Sequence, residues 1–264
     1  MKKTSYLTVM GAVGRVTFFE IIRDKVLYNV LVCAVLLFGV GFLASRLTFI
    51  QPERVVLDFG LASVAISCAM IGIFTGATLM GKEFERRTIY VALSRPISKS
   101  QFVFGKFFGL NVVILVNWVL LSVSFIAVLL ATGGEITQSS MVILFYGLIL
   151  ALIQGIVMAS IAVFFSTFTT GSLSAIFAIG MYLVGTNISQ LRIIGAKAKS
   201  PFISVIINIV ATLLPNLENF SLGTKVTYGL PVSTSVVLAA FIYGVIISWV
   251  YIWAAGMLAH KREI

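Results

Sequence analysis

Apolar residues along this chain gather into long uncharged runs separated by short charged segments. Six runs approach the roughly 20 residues a membrane-spanning helix needs: 27–45, 57–80, 107–132, 141–165, 172–189 and 235–259. None carries a charge in its interior, and Asp58 stands at the edge of the second. The runs do not alternate with polar positions, so they lack the signature of a β-barrel. Helices satisfy their own backbone hydrogen bonds in lipid, and helices are what these runs predict. The expected fold is all-α and integral to the membrane: one transmembrane domain over 1–264 with six spans.

Three segments outside the runs add detail. Over 13–26, Phe18, Phe19, Ile22 and Val26 share one helical face while Thr17, Glu20 and Asp24 share the opposite one, with Arg23 and Lys25 at the flank. This pattern predicts an amphipathic helix in the headgroup layer within 1–26, against the plainer reading of a soluble lead-in. The stretch 81–106, GKEFERRTIYVALSRPISKSQFVFGK, opens as a short charged helix in which Glu83 can pair with Arg86 or Arg87. Pro96 stops it, and Ser98 stands three residues before Gln101, the spacing of a capping box for the next helix. Ile89, Tyr90, Val91 and Leu93 are apolar for a solvated connector, which suits a protein-docking surface. In the segment 190–234, Pro201 and Pro215 bracket PFISVIINIVATLLP, too short to span. A helix lying in or dipping into the outer leaflet is expected there; a seventh short span would move Lys261 and Arg262 to the outer side.

Composition supports the membrane reading. Of 264 residues, 59% are hydrophobic and 11% charged, against about 45–50% and 25% in soluble domains. The net charge is +10, but the basic residues flank apolar runs, which suits anionic headgroups and topology control, not nucleic acid. With the N-terminus cytoplasmic, the inner segments hold 13 basic residues: Lys2, Lys3, Arg15, Arg23, Lys25, Lys82, Arg86, Arg87, Arg95, Lys99, Lys106, Lys261 and Arg262. The outer ones hold 6: Arg46, Arg54, Arg192, Lys197, Lys199 and Lys225. Both termini are therefore expected in the cytoplasm. The opening Met1-Lys2-Lys3 lacks a compact apolar core followed by a small-residue cleavage site, so the first run is expected to act as the insertion signal.

Candidate chemistry is sparse. Cys33 and Cys68 lie inside apolar runs without a CxxC pairing, and the one histidine, His260, sits beside Lys261 and Arg262; neither pattern makes a redox or metal site. Residues 76–82 match GxxxxGK, but Glu83 stands where Ser or Thr should hold magnesium, and the match ends a span instead of following a strand. No nucleotide site or other cofactor is expected in this chain. Gly72 and Gly76 form GxxxG, and Ala151, Gly155 and Ala159 repeat small residues at the same spacing, which predicts close helix packing unless the spacing is incidental. Asn111, Asn117 and Gln154 are polar within spans, as interhelical hydrogen-bonding groups or the lining of a path. Ionisable residues at membrane depth, which proton-coupled carriers use, are missing from the runs. No catalytic constellation is present, so the chain is not expected to be an enzyme.

The sequence over 82–109 resembles the membrane subunits of type-2, exporter-type ABC transporters. The matching positions are Glu83 and Glu85, a short helix from Thr88 to Leu93, the turn Arg95-Pro96-Ile97-Ser98, and the pair Gly105-Lys106, with Arg87 where Gly is common. A second stretch, Leu214-Pro215-Asn216-Leu217-Glu218-Asn219-Phe220, resembles one branch that assists copper-enzyme maturation or gliding. The resemblance implies a bacterial inner-membrane permease, multi-pass, paired with a second copy or a paralogue. It implies an ATP-binding subunit docked on a coupling helix, with Glu83, Glu85, Arg86, Arg87, Thr88, Arg95 and Pro96 at that interface and ATP held by the partner. It implies an interfacial helix before the first span and an outer re-entrant segment marked by Pro201, Pro215, Asn216 and Glu218. Membrane lipids and a periplasmic or outer protein complete the expected partners. The alternative is a scaffold or assembly factor that transports nothing, and a secondary carrier is disfavoured by the uncharged spans.

Overall fold

The computed structural model describes residues 6–23, 28, 32, 35, 36, 38–40, 42, 43, 52–85, 99–131, 138–198, 200–223, 225, 230 and 232–261. Among them there is no strand. The helices are α1 (Tyr6–Ile22), α2 (Pro52–Glu85), α3 (Lys99–Ala131), α4 (Gln138–Ser166), α5 (Gly171–Gly185), α6 (Ile188–Lys197), α7 (Pro201–Leu213) and α8 (Thr234–Lys261), with a 3-10 turn at Leu217–Phe220 between the last two. Helices α2, α3, α4 and α8 are long and apolar enough to cross a membrane; α5 with α6 passes the same test only as a pair bent by 69°. The first expected span, 27–45, lies largely outside the described residues. Its described residues are helical, and the Phe38 ring stacks on Phe125 of α3 at 6.2 Å.

The long helices form a bundle around α4, the most enclosed of them, with α8 the least. The chain reverses between α2 and α3, so Gly76 lies against Leu110 and Gly60 against Phe125. At one end, here the α1 end, α2 finishes, α3 begins, the 167–170 turn joins α4 to α5, and α8 finishes. Contacts between Gly81 and Gly171 and between Gly256 and Ser100 tie these pieces together. The far end holds the start of α2, the end of α5, α6, α7 and the 3-10 turn.

Glycine sets the tightest helix pair. A methyl group at Gly72 would stand 2.6 Å from the Gly155 carbonyl oxygen and 2.9 Å from the Ala159 nitrogen. The two small-residue rows anticipated from the sequence thus face each other across α2 and α4, and backbone meets backbone. Two polar bonds pin the other sides of α4. The Trp118 indole N–H donates to the Leu148 carbonyl at 2.7 Å, and the Ser174 hydroxyl to the Ala162 carbonyl at 2.8 Å.

A second glycine seam corrects the reading of the N-terminal helix. Helix α1 begins at Tyr6, not near residue 13, and packs along α3 through Val13, Gly14, Thr17 and Ile21. A methyl at Gly109 would come 2.5 Å from the Gly14 carbonyl oxygen. Thr17, expected on the polar face, is buried and bonds its own Val13 carbonyl at 3.0 Å. Phe19, expected on the apolar face, is exposed, and Val26 lies outside the described residues. The small-residue face wins because only there can two backbones approach.

Helix α3 starts at Lys99, which places Lys106 inside it and not in a connector. Lys106 is 4% exposed beneath α1, with its Nζ 3.6 Å from a Glu20 carboxylate oxygen and 5.3 Å from the Phe102 ring centre.

Candidate functional site: a far-end cavity and the opposite connector

Helix α5 has 15 residues, or about 22 Å at 1.5 Å per residue, which is short of a hydrocarbon core of about 30 Å. It ends at Gly185 because the next two side chains turn back on it. The Thr186 hydroxyl donates to the Tyr182 carbonyl at 2.8 Å, and the Asn187 amide to the Leu183 carbonyl at 2.9 Å. The chain bends into α6 and then α7, which pack on each other. Apolar side chains of α7, Phe202, Ile203, Val205, Ile206 and Ile209, remain exposed.

The segment after α7 fills the space beyond α5. Its backbone is irregular, and such backbone is tolerated at membrane depth only when its polar groups are satisfied within the protein. That condition explains Pro215-Asn216-Leu217-Glu218-Asn219-Phe220. Pro215 is buried and brings no N–H. The Asn216 N–H donates to the Tyr243 hydroxyl at 2.8 Å, and the Asn216 side chain accepts from the Glu218 N–H at 3.1 Å. Leu217 is fully buried against Gly185. Glu218 Oε2 accepts from the Ser189 N–H at 3.1 Å, in the first turn of α6, whose own N-cap Asn187 makes no capping bond. Phe220 packs beside Tyr243 and Gly244 of α8.

Between this turn and helices α2, α4 and α5 lies a cavity of about 400 Å³, within the range of small-molecule sites. Asp58 of α2, Gln154 of α4, Tyr182 and Thr186 at the end of α5, and Glu218 and Ser221 of the turn region line it among smaller groups. Gln154 is 3% exposed. One residue further along α4, Gly155 closes on Cys68, where a methyl would come 2.8 Å from the cysteine Cβ.

The other sequence-predicted residues fall elsewhere. Asn117 is buried between α3 and α2, and its Nδ2 donates to the Ser67 hydroxyl at 3.2 Å. The side-chain oxygens of Asn117 and Asn111 are buried without a partner. Pro201 opens α7. Residues 76–82 are continuous helix within α2, so their N–H groups are not arranged as a phosphate-binding loop. Among the described residues, no three His, Cys, Asp or Glu side chains come together as a metal site. Glu83 and Glu85 lie in the last turn of α2. Arg86, Arg87, Thr88, Arg95 and Pro96 lie outside the described residues.

Residues 6–195, from α1 into α6, match the family described as ABC-2 family transporter protein. The chain belongs to that family. No curated protein matches it. An ABC-2 transporter chain of this kind is a multi-pass membrane protein and the permease component of an ABC transporter. The match ends before Pro215, so the branch suggested by 214–220 receives no support from it.

Sequence reasoning missed three features of this ABC-2 chain: the Gly105–Gly109 seam, the acceptor role of Tyr243, and the cavity. The first was visible as a GxxxG spacing. The second had a signal only in a tyrosine inside an apolar run. The cavity draws on four separate elements, and no local spacing announces it.

Proposed function

We propose that this permease couples ATP hydrolysis by a separate subunit to outward movement of its cargo, working as a dimer with a second copy or a paralogue in a bacterial inner membrane. ATP is bound by the partner, and both termini face the cytoplasm. The observation that carries the reading is the family membership together with the connector 86–98. That connector leaves α2 and rejoins α3 at the α1 end. Its sequence combines charge with an apolar stripe, and the basic residues assigned to that side outnumber those on the other by 13 to 6. A segment anchored at both ends in long rigid helices can pass a push from a docked ATPase into the bundle.

Glu83, Glu85, Arg86, Arg87, Thr88, Arg95 and Pro96 form the docking surface in this reading. The test is co-purification of the full chain with an ATPase subunit, followed by the charge-reversal variants Glu83→Lys and Arg86→Glu. Both variants are expected to lose the ATPase while running as the wild type does on size exclusion. Undiminished pairing and ATPase activity in both would overturn the docking assignment. A scaffold without transport predicts no ATP-dependent movement of any solute or lipid in vesicles containing the pair.

A further inference from the structure

We propose that the groove between α3 and α8 at the α1 end is a binding site for one membrane phospholipid, which lays an acyl chain between the two helices. The groove has a volume of about 460 Å³, within the range of small-molecule sites. Its origin is a change of side-chain size along α8. At Gly256 the two helices come together, and a methyl there would stand 3.6 Å from the Ser100 Cβ and 3.8 Å from the Phe104 ring. Toward the middle of the bundle two rings stand between them, Phe104 and Trp249, with centroids 5.7 Å apart and planes tilted by 47°. Met10 of α1 borders the space.

Three observations identify the occupant. The first is continuity with the bilayer. In a multi-pass membrane protein the exposed apolar face of a span meets lipid, and α8 is the least enclosed of the long helices. Trp249 and Trp253 line the groove and are themselves 63% and 58% exposed, so the groove opens onto that face without a break.

The second is the order of polarity. Ser100 and Gln101, in the first turn of α3, line one end, and Phe104 and Trp249 lie deeper. A phospholipid has the same order, polar group first and hydrocarbon beyond, and Trp side chains favour that level of a membrane. The third is the wall itself. Gly256 to Trp249 is seven residues, or about 10 Å, roughly a third of a hydrocarbon core of about 30 Å. Over that length the chain meets indole, phenyl and thioether groups, whose flat or flexible surfaces pack closely on methylenes. The site rests on membrane residence alone and on none of the transport reading.

The test uses the full chain in dodecylmaltoside, stripped of lipid, titrated with palmitoyl-oleoyl-phosphatidylcholine and read by native mass spectrometry. One phospholipid is expected to bind about ten-fold tighter than those that follow. Gly256→Leu fills the groove with no clash at its Cβ and is expected to weaken that first binding about ten-fold, and Trp253→Ala several-fold. Gly180→Leu, on an exposed face of α5 where a methyl meets nothing within 4 Å, is expected to leave it unchanged. Glycerophosphocholine, the headgroup without its chains, is expected not to compete. A graded series with no distinct first lipid, unchanged binding in both groove variants, or competition by glycerophosphocholine overturns the proposal.

Photolabelling the wild-type chain with one equivalent of a phosphatidylcholine that carries a diazirine on its acyl chain needs no variant to fold. Label concentrated on peptides containing 100–104 and 249–257 supports the site, and label spread as densely over the exposed faces of α5 and α7 overturns it. A disulfide between two copies of Met257→Cys in vesicles would assign the groove to a protein interface and overturn it as well. No ATPase is present in these assays, so their failure leaves the docking proposal standing, and a failed ATPase co-purification leaves their result standing.

Discussion

Replacing Gly72 by alanine tests the α2–α4 seam on which the bundle is built. The added methyl would meet two backbone atoms, the Gly155 oxygen at 2.6 Å and the Ala159 nitrogen at 2.9 Å. Backbone cannot rotate away, so the helices must separate by several tenths of an ångström. Overpacking of a filled contact costs about 1–3 kcal/mol. Against this, alanine gains about 1 kcal/mol over glycine as a helix former. The net expectation is a loss of about 0–2 kcal/mol against the wild type, ~0–8 °C in Tm on the scaling of domains of 150–250 residues, and of about 1–3 kcal/mol against a glycine-to-alanine control that gains helix propensity alone. Gly11→Ala and Gly180→Ala are the controls, since a methyl at either position meets nothing within 4 Å; both should match or exceed the wild-type Tm. The measurement is thermal unfolding of detergent-solubilised protein, followed by the monodisperse fraction on size exclusion. Gly155→Ala should behave like Gly72→Ala, because its methyl would reach the Cys68 carbonyl oxygen at 3.0 Å. The double variant should lose less than the two single losses combined, since the helices separate only once. A Tm for Gly72→Ala at or above that of Gly180→Ala would show that α2 and α4 do not meet in this way.

Three further outcomes follow from the same geometry. Glu218→Ala removes the acceptor for the Ser189 N–H, a loss of about 0.5–2 kcal/mol of capping, so hydrogen exchange over 188–192 should accelerate by about two- to thirty-fold while Glu218→Gln stays near wild type; equal exchange in all three excludes the cap. Asn117→Leu removes an unpartnered buried oxygen and should change Tm by only a few degrees, whereas Asn117→Asp places a charge there and should lower it strongly; an unperturbed Asp variant would mark a hydrated path in place of a packing contact. A double-mutant cycle on Lys106 and Glu20 should give a coupling below about 1 kcal/mol, because Glu20 is 52% exposed; a value above about 2 kcal/mol by equilibrium unfolding would mean that the pair is shielded from water.

The long helices were legible because apolar length is a strong signal: the run 141–165 sits inside α4, Gln138–Ser166, and the run 235–259 inside α8, Thr234–Lys261. The run 172–189 conceals the 69° break, since hydropathy averages over Thr186 and Asn187, whose side chains take the carbonyls that would otherwise continue the helix. The face of α1 was misread for a related reason. A helical wheel ranks residues by apolarity, while two helices that can approach through glycine are held by contact between backbones, to which glycine adds nothing on a hydropathy scale. The cavity residues Asp58, Gln154, Tyr182 and Glu218 are 28 residues apart or more, so only the assembled bundle brings them together.

Helix α2 links the proposed docking surface to the far-end cavity. Its 34 residues extend about 51 Å, beyond a hydrocarbon core of about 30 Å, with Glu83 and Glu85 in its last turn and Asp58 near its start. The glycine seam binds α2 to α4, so in the proposed cycle a push at the connector moves the Asp58 wall and Gln154 together. The facing wall is tied in as well: α5 packs on both α2 and α4, the Ser174 hydroxyl donates to the Ala162 carbonyl, and Gly185 on Leu217 and Ser189 on Glu218 carry the contact into the 3-10 turn. In the proposed cycle a push at the connector therefore reaches the cavity through packed helices, not through a free hinge at the 167–170 turn.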